Sequence, residues 1–441
     1  MSLVIKREKL PVGLVVAFLG LLFIKDFIGI TIPSIVFTFV WILILLFADT
    51  DTSTAFTISS VICFASTVSI TIPCAVFIVR SLLGRKTIRL NAVMMTSMYV
   101  VIVELCRLLC TQGEDFRHYV NSMVVLLLVW AVIMELDEKK ASPQSCIKYY
   151  LAFFVFMSFD IVWATVKSLG SISAIVSTGF RIGQVELADE TVEGIFSVNA
   201  NGIALMAILA VASIMLMLSK KRMNLKLAIP MLIYCSLVGL LTVSKTFILV
   251  YAGFWILYVL WYASSNKTNV FKPLGLIVVG VIVIVAVWQT DIVQNIIVRF
   301  NAADITTGRV DVTNEYLEYM RNDKIASVIG IGLQNITSKV SLSHVPHNAI
   351  LEIFVCFGVV GLIMYFCFFV SLIRMGIHFI KTETEEHYTF INFIPFVVFI
   401  TFIQGLQFLR ITYIYALIAL VFACMVLKTR TANSTRKEDF R

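Results

Sequence analysis

Two histidines stand at the start of an apolar segment, in the sequence His344-Val345-Pro346-His347-Asn348. A neutral imidazole, whose pKa is about 6.5, can accept a proton from a hydroxyl group at neutral pH. Pro346 suits a helix start, which places His347 in or next to the first turn, where free backbone N–H groups favour a nearby anion. His347 is therefore either a general base or a side chain that only caps the helix at a membrane interface.

Two cations have positions that suit the binding of an anion. Lys245 interrupts the apolar run 225–262, and burying it at membrane depth would cost about 2.5 to 3.5 kcal/mol. It is either an anion ligand, or a charge exposed at a turn or paired with an acid. Arg309 follows Gly308; its guanidinium group suits bidentate phosphate binding, although an arginine in a polar loop is more often solvated.

A third group of polar residues lies near the end of the chain. Gln404, Gln407 and Arg410 recur every three residues, which predicts one helical stripe. The stripe would line a cavity for a headgroup or form a hydrogen-bonded seam between helices.

Three further charged positions lie in or beside apolar segments. Glu104 and Arg107 have the spacing of a structural ion pair within one helix. Asp160 is an acid within an apolar segment, open as a partner for Lys245 or Lys167. Arg181 shares a loop with several acids, and we expect it to be solvated, unless it reaches the site.

The composition indicates that these residues belong to a membrane protein. Of the 441 residues, 59% are hydrophobic and only 14% are charged, whereas about a quarter are charged in soluble domains. The net charge of +8 comes from Lys and Arg in short loops between apolar segments, where they set orientation. Nucleic acid is therefore not an expected partner.

The apolar segments predict an all-α polytopic membrane protein, residues 1–441 forming a single integral membrane domain. About 20 apolar residues cross the hydrocarbon core, and the sequence predicts 12 to 13 transmembrane helices, with turns at Lys245 and Arg410. The candidate spans are 11–30, 32–48, 57–79, 91–110, 118–135, 149–168, 197–218, 225–242, 246–263, 273–290, 348–373, 388–408 and 411–427.

Loop charge orients these spans. Most basic clusters, from Arg80 to the C-terminal tail, fall on one side, which the positive-inside rule makes the cytoplasm. The large loop 290–346 and the turns at Lys245 and Arg410 then lie on the extracytoplasmic face. The first 80 residues do not fit, because three spans put Lys6 and Arg7 outside and two put them inside.

Several motifs resemble the O-antigen ligase and polymerase superfamily. They are the segment Phe196 to Ala204, Ser244-Lys245-Thr246, Gly308-Arg309, Gly330-Ile331-Gly332, His347 to Glu352, and Phe357-Gly358-Val359-Val360-Gly361. Their order, over roughly residues 195–375, makes the resemblance fairly specific. The chain departs from the family pattern where Lys245 replaces a frequent arginine and Ala200 a frequent proline.

The resemblance implies a glycosyltransferase that acts at the outer face of the cytoplasmic (inner) membrane on glycans carried by undecaprenyl diphosphate. Arg309 and Lys245 would bind the diphosphate leaving group, with Arg410 nearby, and His347 would activate the acceptor hydroxyl. Asn201, His344 and Asn348 would support this site. No Asp-x-Asp metal motif is evident in the outer loops, so we expect neither a metal nor another cofactor.

Within the superfamily we expect a polymerase of repeat units, for O-antigen or for capsular or exopolysaccharide. Its partners would be the undecaprenyl-diphosphate-linked oligosaccharide, membrane lipid, and possible auxiliary proteins such as a chain-length regulator and a flippase. One alternative is a ligase that moves the glycan to lipid A core. The other is a flippase or transporter, which predicts two similar halves and charges near the midplane; the sequence shows no convincing repeat.

Overall fold

The architecture is that of a computed structural model. It describes residues 10–65, 68–83, 85, 91–110, 116–171, 181–182, 186–187, 190–191, 199–265, 297, 309–333, 336, 346–381, 389–409 and 411–428. Within these ranges the backbone alone is described at 108–110, 116–119, 168–169, 186–187, 190–191, 263–265, 309, 381 and 389.

The described residues are almost wholly helical, as the sequence predicted. The described helices before residue 266 are α1 (Leu10–Phe23) with a π-helical turn (Ile24–Ile28), α2 (Ser34–Phe47), α3 (Thr50–Phe64), α4 (Thr71–Leu83), α5 (Ala92–Cys110), α6 (Phe116–Asp137), α7 (Pro143–Leu169), α8 (Ala200–Ser219), α9 (Leu225–Leu241) and α10 (Lys245–Ser265). Those after it are α11 (Arg309–Asn322), α12 (Lys324–Ile329), α13 (Ala349–Lys381), α14 (Thr389–Ile403) and α15 (Thr412–Met425). Two short strands, β1 (Glu186–Leu187) and β2 (Glu190–Thr191), pair antiparallel.

Six of the described helical segments are long and apolar enough to cross a membrane, and shorter apolar helices accompany them. The chain is therefore a membrane protein, and the number of 12 to 13 spans stays a prediction. The turn at Lys245 is confirmed, because α9 ends at Leu241 and α10 begins at Lys245. Of the expected loop 290–346, the described part contains α11 and α12, while residues 290–296, 298–308, 334–335 and 337–345 lie outside the described residues.

The prediction of one span at 57–79 is wrong, because two helices, α3 and α4, occupy this part of the chain. Helix α3 is rich in serine and threonine, and its residues from Ser53 to Phe64 are all buried. It packs against α7 and α15 inside the bundle. A hydropathy window assumes contact with lipid, so it misses a polar helix that only other helices surround.

The sequence left open on which side of the membrane the chain begins, and the four helices before residue 85 resolve the direction of α1 relative to the later helices. At the start of α3, the Asp51 carboxylate accepts hydrogen bonds of 2.7 Å from Ser142 N and Ser145 Oγ, at the start of α7. Near the end of α1, Phe27 stacks on Phe159, towards the end of α7, at 5.7 Å between ring centroids. Helices α1, α3 and α7 therefore run in the same direction, and α1 begins at the end of the bundle where α7 begins.

A close backbone crossing shapes the N-terminal half of α13. This helix is broken at Gly358, which has a φ of 65°, and the segment after α12 runs across the break. Ile331 N donates to Val355 O and Gly332 N to Cys356 O, each at 2.9 Å. Two of the glycine motifs that carry the family resemblance thus meet each other directly.

Arg107 of α5 fixes this crossing from the side. Its guanidinium group donates to Cys356 O at 2.9 Å and to Ile329 O at 2.7 Å. It also pairs with Glu104 at 3.0 Å, so the predicted ion pair is confirmed. The role of the pair is to hold backbone, since its hydrogen bonds end on main-chain carbonyls of both crossing segments.

Replacing Gly330 by alanine is expected to destabilise the protein. A Cβ at this position would overlap the Cys356 carbonyl, and the φ of 74° is unfavourable for alanine. Overpacking and backbone strain together should cost about 2 kcal/mol or more. Thermal unfolding of the purified variant should begin well below that of the wild type.

The matched control is Gly253→Ala in α10, where a Cβ has open space around it. It should unfold like the wild type. Equal stability of the Gly330→Ala and Gly253→Ala variants would show that the crossing does not contribute to the fold.

Candidate functional site

The turn between α9 and α10 holds Lys245 in a strained backbone environment. Val243 has a φ of 47°, a left-handed conformation that is rare for a β-branched residue and costs about 1 to 3 kcal/mol. Thr242 Oγ1 donates to Gly239 O at 2.6 Å, and Ser244 Oγ accepts from Phe247 N at 3.3 Å. The surrounding contacts therefore hold a conformation that the sequence alone would not prefer, which is typical of functional sites.

Lys245 itself is the first residue of α10 and is half-buried. A cation at a helix N-terminus meets the positive end of the helix dipole, whereas an anion there interacts favourably with both. The position therefore favours a negatively charged ligand close to the turn.

Arg181 connects this turn to the start of α8. Its Nε donates to Thr242 O at 2.8 Å and its Nη2 to Asn201 Oδ1 at 3.0 Å. Ile182 N adds a hydrogen bond of 3.2 Å to Leu241 O. The expectation of a solvated Arg181 is wrong, because the side chain bridges two elements, and Asn201 enters the site as its partner.

The segment after α14 lies against the same turn. A Cβ at Gly405 would lie 3.2 Å from Thr246 Oγ1, so the Gly405 backbone lies close to the side chain of Thr246. Helix α14 ends at Ile403, and Gln404 and Gln407 lie in the non-helical connection to α15. The predicted helical stripe of Gln404, Gln407 and Arg410 is therefore wrong for its two described members.

The start of α13 supports this connection from another side. Glu352, in the first turn and fully buried, accepts hydrogen bonds from Phe408 N and, at 3.1 Å, from Leu409 N. A carboxylate that receives two backbone N–H groups fixes the path of the chain. Sequence reasoning gave Glu352 no role, although an acid inside an apolar helix was a signal that something polar faces it.

His347 lies one residue before the cap of α13. Asn348 caps the helix, since its Oδ1 accepts from Leu351 N at 3.0 Å. His347 is half-buried and Pro346 is buried. The prediction that His347 lies next to the first helical turn is confirmed, and Asn348 has a structural role at the same place.

A continuous chain of contacts thus joins four segments. Asn201 reaches the Lys245 turn through Arg181, this turn packs on the 404–409 connection, and Glu352 links that connection to the start of α13, where His347 lies. The structure brings these sequence-predicted positions to one end of the bundle. Arg309 is the first residue of α11 and its side chain lies outside the described residues, as do His344 and Arg410 altogether.

Glu352→Ala is expected to release the 404–409 connection. It removes the acceptor of two buried N–H groups, at a cost of about 3 kcal/mol for hydrogen bonds to a charged group. Glu352→Gln keeps one carbonyl oxygen and should lose less. Thermal unfolding of the purified variants should therefore rank wild type above Glu352→Gln, and Glu352→Gln above Glu352→Ala; an unchanged unfolding temperature for Glu352→Ala would contradict this role.

Known proteins provide an independent comparison. A family model described as O-antigen ligase matches residues 230–366. The matched stretch includes Lys245, Arg309, His344, His347 and Asn348, while Asn201 and Arg410 lie outside it. A comparison with curated proteins gave no significant match.

Proposed function

We propose that this chain polymerises oligosaccharide repeat units carried on undecaprenyl diphosphate. The family match supports its membership of the O-antigen ligase and polymerase superfamily, and members of the matched family are glycosyltransferase-like enzymes. The product would be O-antigen or a capsular or exopolysaccharide. The site would lie at the extracytoplasmic face of the cytoplasmic membrane. The observation that carries the proposal is the chain of contacts that leads from the Lys245 turn to His347.

The reaction requires one bond to form and one to break. The hydroxyl oxygen of the acceptor sugar bonds to the anomeric carbon of the donor glycan, and the bond from that carbon to the diphosphate oxygen breaks. The electron pair leaves with the diphosphate, and the hydroxyl proton passes to His347. The extended glycan, the released lipid diphosphate and the protonated His347 thus account for every atom, and the proposed reaction needs no redox partner.

The diphosphate is the group that gains charge in this reaction. Lys245, Arg309 and Arg410 are proposed to bind it, because cations placed where charge develops stabilise the transition state more than the ground state. The N-terminus of α10 adds its dipole to the charge of Lys245. The proposal uses these side chains in the place that a metal ion occupies in other transferases.

The base is the second half of the site. His347 is half-buried beside the capped start of α13, so its imidazole has both access to a substrate and a fixed backbone. Asn201, His344 and Asn348 are proposed to support the site. For Asn201 the support acts through Arg181 and the Thr242 carbonyl, as the hydrogen bonds indicate.

The family description also favours a second candidate, a ligase that moves the finished glycan to lipid A core. Both activities use the same donor and the same leaving group, so the same cations and base serve either one. They differ in the acceptor. A chain-length regulator and a flippase are proposed as partners of the polymerase in its pathway.

Deleting the gene separates the two candidates. For a polymerase we expect single repeat units attached to the envelope, because transfer to the final acceptor continues without chain extension. For a ligase, long chains should accumulate on the carrier lipid. The measurement is the length of envelope-attached and carrier-attached glycan by gel electrophoresis, with plasmid-borne wild type as the control; normal long chains on the envelope of the deletion strain would contradict both.

A further inference from the structure

Two buried carboxyl groups lie near each other at the end of α1, outside the contacts that join the Lys245 turn to His347. The π-helical turn Ile24–Ile28 contains Asp26. Such turns are rare in proteins, and those that occur often lie at functional sites. Phe27, the next residue, stacks on Phe159 at 5.7 Å and on Trp163 at 6.3 Å between ring centroids. Phe159 adjoins Asp160 in the sequence and Trp163 follows it by about one helical turn of α7, so these contacts place the π-helical turn, with Asp26, on the part of α7 that carries Asp160.

Neither acid has a hydrogen-bond partner in the described part of the chain. Asp160 is fully buried and Asp26 is 6% exposed, and all four carboxylate oxygens are buried without a donor there. Buried polar groups in native proteins are nearly always hydrogen-bonded, so these oxygens require an explanation. Two ionised carboxylates in this environment would be very costly.

The charges around the two acids can be counted. Lys25 Nζ lies 3.9 Å from Asp26 Oδ1, and the charges that act on Asp160 are those of Asp26 and Lys25. The expectation that Asp160 pairs with Lys245 or Lys167 is therefore replaced by this local group. Lys167 is exposed, two helical turns further along α7.

The helices that pack around α7 supply no other compensating charge near Asp160. Helix α9 contacts α7 through Tyr234, whose hydroxyl lies 3.0 Å from Ser158 Oγ, and its one charged residue, Lys226, lies in its first turn. Helices α8 and α15 contain no charged residue. The only charged residue of α3 is Asp51, which is bound at the opposite end of α7. Among these described helices, one cation, Lys25, thus lies near two carboxyl groups.

We propose that Asp26 and Asp160 form a proton-binding site that holds one shared proton at neutral pH. Lys25 compensates one carboxylate, and two neighbouring carboxyl groups in apolar surroundings cannot both ionise. The proton supplies the donor that the four buried oxygens lack. It also holds the π-helical turn on α7, because its loss would leave two neighbouring like charges.

Infrared spectroscopy of the full-length protein in lipid nanodiscs tests this site. A protonated carboxyl group has a carbonyl stretch that an ionised one lacks. At neutral pH the Asp160→Asn variant should lack one such band that the wild type has, because Lys25 then compensates the remaining Asp26 carboxylate. The band should therefore appear in the difference spectrum of wild type minus variant. Asp26→Asn should give the same result and serves as the second variant if one of them does not fold.

Lys25→Met provides the opposite change. Without the cation both carboxyl groups should be protonated, so the carbonyl band should gain the intensity of one additional protonated carboxyl group. Glu104→Gln, which alters a buried acid elsewhere, is the control for bands from other carboxyl groups, and it should leave the Asp160-dependent band unchanged.

Two results would overturn the proposal. One is a difference spectrum without a protonated carboxyl band for both Asp26→Asn and Asp160→Asn. The other is loss of the wild-type band when sodium chloride replaces choline chloride at constant pH, which would make a sodium ion the occupant. The inference does not depend on glycan transfer, because no readout measures activity.

Discussion

His347→Ala is expected to lower glycan transfer by about 10²- to 10⁴-fold, the range for loss of a general base. The structure gives the reason. His347 is half-buried beside the cap of α13, and the contacts through Glu352 and the 404–409 connection tie this helix start to the Lys245 turn. The measurement is the rate of chain extension by purified protein on a lipid-linked repeat unit.

His378→Ala is the matched control. This histidine is exposed near the other end of the same helix, so its loss should leave the rate unchanged. Both variants should insert in the membrane like the wild type. Wild-type-length polysaccharide from His347→Ala would remove His347 from the mechanism.

Lys245→Ala is expected to reduce kcat/KM for the lipid-linked donor by roughly 10- to 100-fold. Loss of a hydrogen bond to a charged group costs about 1.5 to 3 kcal/mol, and each 1.36 kcal/mol is about tenfold in rate. Lys245→Arg should keep most activity, because a guanidinium group also binds phosphate. Arg309→Ala, which removes the other proposed diphosphate ligand of the matched segment, should give at least as large a loss.

Lys226→Ala is the control for Lys245→Ala. Lys226 is exposed at the opposite end of the helix that leads to the Lys245 turn. Raising the salt concentration should not restore the activity of the Lys245→Ala variant. A Lys245→Ala enzyme with wild-type kcat/KM would assign Lys245 to the fold instead of the donor.

Local features of this protein were predictable from its sequence. The apolar segments, the turn at Lys245, the Glu104–Arg107 pair and the place of His347 next to a helix start all depend on residues close together in the chain. Periodicity, helix capping and hydropathy act at that range. The glycine motifs were also visible, and the structure adds that two of them cross each other.

Features that depend on distant contacts were not predictable. The sequence predicted one span where α3 and α4 lie, because burial among other helices allows α3 a polar composition. Arg181 and Glu352 acquire their roles from partners 61 and 56 residues away along the chain. The prediction of a helical stripe that includes Gln404 and Gln407 was wrong because α14 ends at Ile403. No sequence signal marked the left-handed backbone conformation of Val243.

The central claim is that this protein transfers a glycan from a lipid diphosphate to a sugar hydroxyl at one site. The most direct measurement uses purified protein in lipid nanodiscs with a synthetic lipid-diphosphate-linked repeat unit as both donor and acceptor. We predict products longer by whole repeat units, with one free lipid diphosphate released for each new bond, and neither product from His347→Ala. Unchanged glycan length with no lipid diphosphate released by the wild type would contradict the account.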